Sequence, residues 1–159
     1  DQTLKLMNQG KSLNQVLHEV KIPNDLMELP WLTPIYDDPQ FLIRMVWRRY
    51  GGWWDGEYDR LLPAPRKDEA LAWVELSNGI ENIILKALEN LDKGNFKVAA
   101  QLIETAFHAD DDNKQMHDAR AKIYREFSLK QSSSMGRNIL NHASMASAQG
   151  KRDLAQTED

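Results

Sequence analysis

Cysteine is absent from the 159 residues. Its absence excludes disulfides and thiolate chemistry, but it names no compartment, because proteins of reducing and oxidising compartments alike can lack it. Positive charge is not in excess either. Twenty Lys and Arg against 24 Asp and Glu give a net charge of −4, so no basic field invites a nucleic acid. No apolar run approaches the roughly 18 residues that a membrane-spanning helix needs. A phosphate-binding glycine loop, a nucleophile elbow and a zinc-protease HExxH motif are all missing. Carboxylates occur in pairs only as charges on helix surfaces. No catalytic residue or metal ligand set is therefore expected within the chain. It opens at Asp1, without an initiator Met and without the charged and apolar regions of a signal peptide, so it reads as a cut within a longer protein of unknown localisation.

What is present has the balance of a globular domain: 42% hydrophobic and 28% charged residues, in a chain long enough to bury a core. Helical spacing dominates, and the fold class expected is all-α, a helical bundle. Leu4, Leu6 and Met7 mark a first helix closed by Gly10. Ser12 is an N-cap for a second helix carrying Leu13, Val16, Leu17 and Val20 and closed by Pro23. Four prolines from Pro23 to Pro39 exclude a continuous helix there. A short helix over Gln40 to Tyr50 follows, stopped by Gly51 and Gly52. Asp68 is a candidate cap for a helix through Leu76, broken at Ser77-Asn78-Gly79. Ile80, Ile83, Ile84, Ala87, Leu88 and Leu91 form an apolar stripe, and Phe96 to His108, Lys114 to Leu129 and Arg137 to Ala148 complete the series.

Gly94, Phe96, Ala99, Ile103 and Ala106 match the second half of a tetratricopeptide repeat, with Asp111 in place of its usual Pro. Small residues at that spacing let two helices approach closely. With Ile80 to Leu91 as the first helix this makes one tetratricopeptide-like helix hairpin, not a solenoid. Residues 1–148 are expected to form one domain, and 149–159 a polar, disordered tail.

The densest signal lies between Arg44 and Gly56. Three of the five Trp (Trp47, Trp53, Trp54) and three Arg (Arg44, Arg48, Arg49) fall within 11 positions. Trp and Arg together mark contact surfaces, and equally a core helix with a Trp-lined turn. Arg44 and Arg48 are four apart, on one helix face, where two guanidiniums suit an oxyanion such as sulfate or the nearby Asp37 and Asp38. The run Asp110-Asp111-Asp112 lacks the Gly and terminal Glu of a calcium loop and reads as a solvated helix start. His108 and His117 flank it at a spacing that fits no zinc template, and His18 and His142 stand alone.

Taken in order, Asp1-Gln2-Thr3-Leu4-Lys5-Leu6-Met7-Asn8-Gln9-Gly10, Ile22-Pro23, Tyr36, Arg44, Tyr50-Gly51-Gly52-Trp53-Trp54-Asp55-Gly56, Gly94-Asn95-Phe96 with Ala99 and Ala100, and Arg137-Asn138 resemble the linear alkylsulfatase family over nearly the whole chain. The resemblance implies a helical dimerisation domain that follows a metallo-β-lactamase-like domain with two zinc ions, and precedes a sterol-carrier-like domain. Neither neighbour is in this sequence. It also implies a homodimer, contact with the metallo-β-lactamase-like domain of the same protein, and a position bordering a site where zinc-dependent hydrolysis of primary alkyl sulfates such as dodecyl sulfate takes place. On that basis Arg44, Tyr36 and Tyr50 are the candidates for contact with sulfate. Trp47, Trp53, Trp54, Asp55 and Gly56 are the candidates for dimer or structural roles, and Gln2 and Thr3 for a hinge. The second reading is a free-standing helical interaction module without catalysis. Self-association is expected, driven by Met, Trp and the Ile80 to Leu91 stripe.

Overall fold

The computed structural model describes residues 1–154, except the side chain of Met27. Among these residues nine α-helices and two 3-10 turns form, with no strand: α1 (Gln2–Asn8), α2 (Leu13–Glu19), α3 (Asn24–Met27), α4 (Pro39–Gly51), α5 (Arg66–Leu76), α6 (Ile80–Asp92), α7 (Phe96–Ala109), α8 (Lys114–Leu129) and α9 (Ser134–Ala148). The all-α bundle expected from the spacing is what forms. No helix among the described residues is long and apolar enough to cross a membrane.

The chain folds as two compact units. The first comprises Asp1–Pro63 with Ser132–Met135, and the second comprises Ala64–Gln131 with the residues from Gly136 onward.

In the first unit Val16, Leu17, Ile43 and Trp47 make the core, with Leu6, Met7, Leu13 and Val20 packed on it. Ser12 starts α2 with a reciprocal capping box: its hydroxyl accepts from the Gln15 N–H, and the Gln15 side chain accepts from the Ser12 N–H. The helix stops at Glu19, before Pro23. Val20 turns extended there, and the Gln2 amide pairs with both backbone groups of Lys21 at 2.9 and 3.1 Å. Backbone that would otherwise continue the helix is thus satisfied by a side chain from α1. Asp38 caps α4 through the Gln40 N–H (2.8 Å), with Pro39 at the first helical position.

In the second unit the core runs through Ile83, Ile84, Ala87, Leu91, Ala99, Ala100, Ile103, Ala106, Phe107, Met116, Ala119 and Ile123. The Ile80 to Leu91 stripe is consumed here. Ile84 and Ala87 are fully buried against α7, so this stripe is not a surface that drives self-association. α6 ends in a Schellman turn: Asn95 N–H reaches the Asn90 carbonyl and Gly94 N–H the Leu91 carbonyl. Gly94 takes the left-handed φ of +76° that this motif needs. The short turn returns the chain as α7, and Ala99, Ile103 and Ala106, all fully buried, set the close approach of the hairpin. α5 begins at Arg66 after Pro65, not at the expected Asp68 cap. Asp68 and Glu69 instead lie in its first turn, where the helix dipole favours carboxylates.

The acidic run is a turn feeding α8. Asp110 accepts from the Asp112 N–H, Asn113 caps the helix through the Met116 N–H, and the buried His117 Nε2 donates to the Asp111 carbonyl at 2.7 Å. Buried Arg120 holds α7, α8 and α9 together. It binds Glu104 and the Ser147 hydroxyl at 2.6 and 2.7 Å and the Ala143 carbonyl at 3.3 Å, and its guanidinium lies over the Phe107 and Tyr124 rings. α9 starts three residues before the expected Arg137. Of the tail expected from Gln149, Lys151 N–H closes on the Ala146 carbonyl and Asp153 meets His142 at 3.0 Å, while residues 155–159 lie outside the described residues.

Candidate functional site

The motif from Arg44 to Gly56 folds into two parts of the first unit. One is an internal joint. Ile43 and Trp47, four apart on α4, face the core, and Trp47 is 8% exposed. Burying an indole leaves its N–H in need of an acceptor, and the Trp54 carbonyl supplies it at 2.8 Å. The next residue, Asp55, accepts the Leu13 N–H on its carbonyl (2.8 Å) and the Glu57 N–H on Oδ1 (3.0 Å), with Arg60 at 3.7 Å from Oδ2. Gly56 then passes with φ +84°, so close to α2 that a Cβ there would lie 3.0 Å from the Ser12 Cα. Trp54 meets the rings of Trp53 and Tyr58 edge to face at 6.0 and 5.9 Å. Trp47, Trp54, Asp55 and Gly56 thus clamp α4 to the start of α2.

The other part is an open face. Arg44, Arg48 and Arg49 are exposed, and among the described residues none of them makes an ion pair or a hydrogen bond. Arg44 and Arg48 share one side of α4, as their spacing predicts. Tyr50 does not join them: at 100° per residue it sits about 120° around the axis from Arg44, on the opposite flank of the buried stripe. Tyr36 presents its ring to solvent, while its carbonyl accepts from the Ser133 hydroxyl (2.7 Å) and the Met135 N–H (3.1 Å). Met45 and Trp53 are also exposed, the latter by 81%. The face can offer two guanidiniums to an anion and apolar surface beside them.

Among the described residues no three His, Asp or Glu side chains converge as a metal ligand set.

Two features of the second unit carry no local signal in the sequence. Arg120 is one: its partners lie 16 and 27 residues away. The other is a groove of about 500 Å³ between α5, α6 and α7, lined by Trp73, Ile83, Val98 and Leu102 with Lys86 among its polar neighbours. Only the apolar spacing of α7, with Val98 and Leu102 four apart, hints at the groove.

Residues 12–150 match the model of the alkyl sulfatase dimerisation family. The chain is 29% identical over 79% of its length to a linear primary-alkylsulfatase of a Pseudomonas species, and 28% identical over 94% to the alkyl/aryl-sulfatase BDS1 of Saccharomyces cerevisiae. It is also 28% identical over 87% to an (R)-specific secondary-alkylsulfatase of a Pseudomonas species. It spans only 24%, 23% and 21% of those proteins' own lengths. Among solved structures it is similar to the stereoselective inverting sec-alkylsulfatase Pisa1 from a Pseudomonas species, with 27% identity, a TM-score of 0.84, and coverage of 93% of this chain and 24% of that one. A double mutant of the same sulfatase gives a TM-score of 0.86 over 100% of this chain and 25% of that one. Family match, sequence relatives and fold agree, and this chain belongs to the alkyl sulfatase dimerisation family.

Proposed function

We propose that this chain is the dimerisation segment of a sulfuric ester hydrolase acting on alkyl sulfates, and that it borders the active site without containing it. The observation that carries the reading is the family match across residues 12–150. In this reading hydrolysis takes place on a metallo-β-lactamase-like domain with two zinc ions, encoded outside the chain, and primary alkyl sulfates such as dodecyl sulfate are the substrates. The homodimer that the family name describes is assembled through this segment.

Arg44 is the residue assigned to the sulfate group. Its planar guanidinium can donate two parallel hydrogen bonds to an oxyanion, and no carboxylate among the described residues competes for it. Tyr36 remains a second hydroxyl donor for the same group. Tyr50, on the other flank of α4, is the weaker candidate.

The test begins with the reading frame on either side of the chain. A His-x-His-x-Asp-His cluster upstream, with zinc-dependent release of sulfate from dodecyl sulfate by the full-length product, is the expected result. In that enzyme Arg44→Ala raises KM for the sulfate ester about tenfold or more, and Arg44→Lys restores only part of the loss. A frame with no such cluster, or a full-length product without sulfatase activity, overturns the reading.

A further inference from the structure

Asn78 is the one non-glycine residue among those described whose backbone is left-handed, at φ +58°. It lies between α5 and α6, at the turn position of a Schellman motif. The Asn78 N–H reaches the Glu75 carbonyl at 3.1 Å, and the Gly79 N–H reaches the Val74 carbonyl at 2.9 Å. Asparagine suits this position because its short polar side chain tolerates the left-handed region. The carbonyls of Ser77 and Asn78 accept from the Asn82 amide at 2.7 and 3.2 Å. The main chain of the turn is thus held from both helices. The Asn78 side chain is not: it is exposed and makes no hydrogen bond among the described residues.

Asn78-Gly79 is also the only Asn-Gly pair in the sequence. Glycine puts no Cβ in the path of the preceding side chain, so the two can close a ring. The Gly79 nitrogen gives up its proton and bonds to the Asn78 Cγ, and the side-chain nitrogen takes up a proton and leaves as ammonia. Water then opens the cyclic imide at either carbonyl, giving aspartate or isoaspartate. Asp55-Gly56 could close the same ring with loss of water. There, however, Asp55 Oδ1 accepts from the Glu57 N–H at 3.0 Å, Oδ2 lies 3.7 Å from Arg60, and the carbonyl holds the Leu13 N–H. The fold ties down one of the two side chains and leaves the other loose.

We propose that Asn78 is a site of spontaneous deamidation and that the α5–α6 turn gates it. Ring closure needs the Gly79 nitrogen free, and the Val74 carbonyl withholds it. The reaction therefore runs through local opening of the turn. Its two products differ in consequence. Aspartate keeps the register of the main chain and adds a charge. Isoaspartate inserts a methylene group into the main chain, between the N–H of Asn78 and that of Gly79, so both hydrogen bonds of the motif cannot re-form together. The start of α6 is then released.

The folded chain is incubated in warm, mildly alkaline buffer, with and without denaturing urea. Mass spectrometry of its peptides follows the amide-to-acid mass gain at each Asn, and fragment ions separate aspartate from isoaspartate. Asn78 is expected to convert before every other Asn in the folded chain and to yield both products. In urea it converts about tenfold faster, the factor that release of one or two hydrogen bonds allows. The isoaspartyl chain, isolated by ion exchange, shows faster amide exchange at Gly79 than the unmodified chain. Another Asn converting first in the folded chain overturns the site. Equal rates with and without urea overturn the gate. Unchanged exchange at Gly79 in the isoaspartyl chain overturns the release of α6.

Discussion

Arg120 donates through Nε to Glu104 Oε1 at 2.6 Å, from a side chain only 8% exposed to a carboxylate that keeps 26% of its surface in water. The pair joins α8 to α7, and the Arg120 Nη1 goes on to the Ala143 carbonyl and the Ser147 hydroxyl of α9. Removing the guanidinium leaves a partly buried carboxylate without its cation and takes the donor from the Ser147 hydroxyl. Arg120→Ala is expected to destabilise the second unit by about 3–5 kcal/mol, the range for breaking a buried pair from one side. Arg120→Lys recovers little, since an ammonium cannot reproduce the fork or its stacking on Phe107 and Tyr124. Urea unfolding followed by helicity measures both. A loss below 1 kcal/mol for Arg120→Ala would show that water replaces the network.

Stability is expected to decline on both sides of neutral pH. Burial first, and then the Glu104 carboxylate, push the Tyr124 phenol well above its ordinary value of 10. The folded state therefore holds that proton more tightly than the unfolded chain. The stabilisation is complete below pH 10 and is lost as pH rises beyond it. His108 runs the other way. Burial lowers its pKa below 6.5, with Arg66, Arg152 and Arg120 adding to the effect against Glu104. Its contribution is present above pH 6.5 and is lost as pH falls through the lowered value. Thermal unfolding between pH 4 and 11 tests this. Tyr124→Phe removes the alkaline decline and His108→Gln flattens the acid one. If each variant keeps the wild-type profile, these are not the titrating groups.

Gly56→Ala is expected to cost about 1–3 kcal/mol, the strain of a left-handed backbone combined with a clash that cannot relax cheaply. The obstructing atoms are the Ser12 backbone, not a flexible tip. The damage should register in the first unit, as faster amide exchange at the start of α2 and a red shift of Trp47 emission. Unchanged exchange at Leu13, whose N–H binds the Asp55 carbonyl, would argue that the joint opens without consequence.

Ala99→Leu places three extra carbons where α6 and α7 touch. Overpacking of a fully buried position costs about 1–3 kcal/mol, so the melting temperature should drop by several degrees, while the exposed Leu85→Ala leaves it nearly unchanged. Equal effects at both positions would contradict the packing described.

Helix limits set by local chemistry are readable in the sequence. Ser12 and Gln15 form their cap within four residues, Lys114 to Leu129 begins and ends where its spacing says, and the break at Ser77-Asn78-Gly79 is real. Asp68 misleads because Asp serves both as a cap and in the first turn, and Pro65 with its fixed φ starts the helix earlier. Pro23 misleads for a different reason: the helix ends where Gln2, distant in sequence, captures Lys21. Periodicity in Ile80 to Leu91 states that a face is covered without stating by what, and α7 is the cover. In the site, Arg44 and Arg48 share a side because the spacing of four is helical. Tyr50 parts from them for the same reason, although it is near in sequence. The Gly56 approach to Ser12 and the reach of Arg120 to Ser147 are long-range contacts, which no local pattern encodes.

The hydroxyl of Ser133 bonds the Tyr36 carbonyl across 97 residues of intervening chain. During synthesis the amino-terminal unit thus waits for a piece of itself that is translated after most of its neighbour. At 5–20 residues per second the wait lasts about 5–20 s, and the long loop makes closure slow once the segment arrives. The local contacts of α5 to α8 have time to form first. The part encoded first therefore cannot close until most of its neighbour has been made, and until then the Ile35 and Tyr36 carbonyls rely on water.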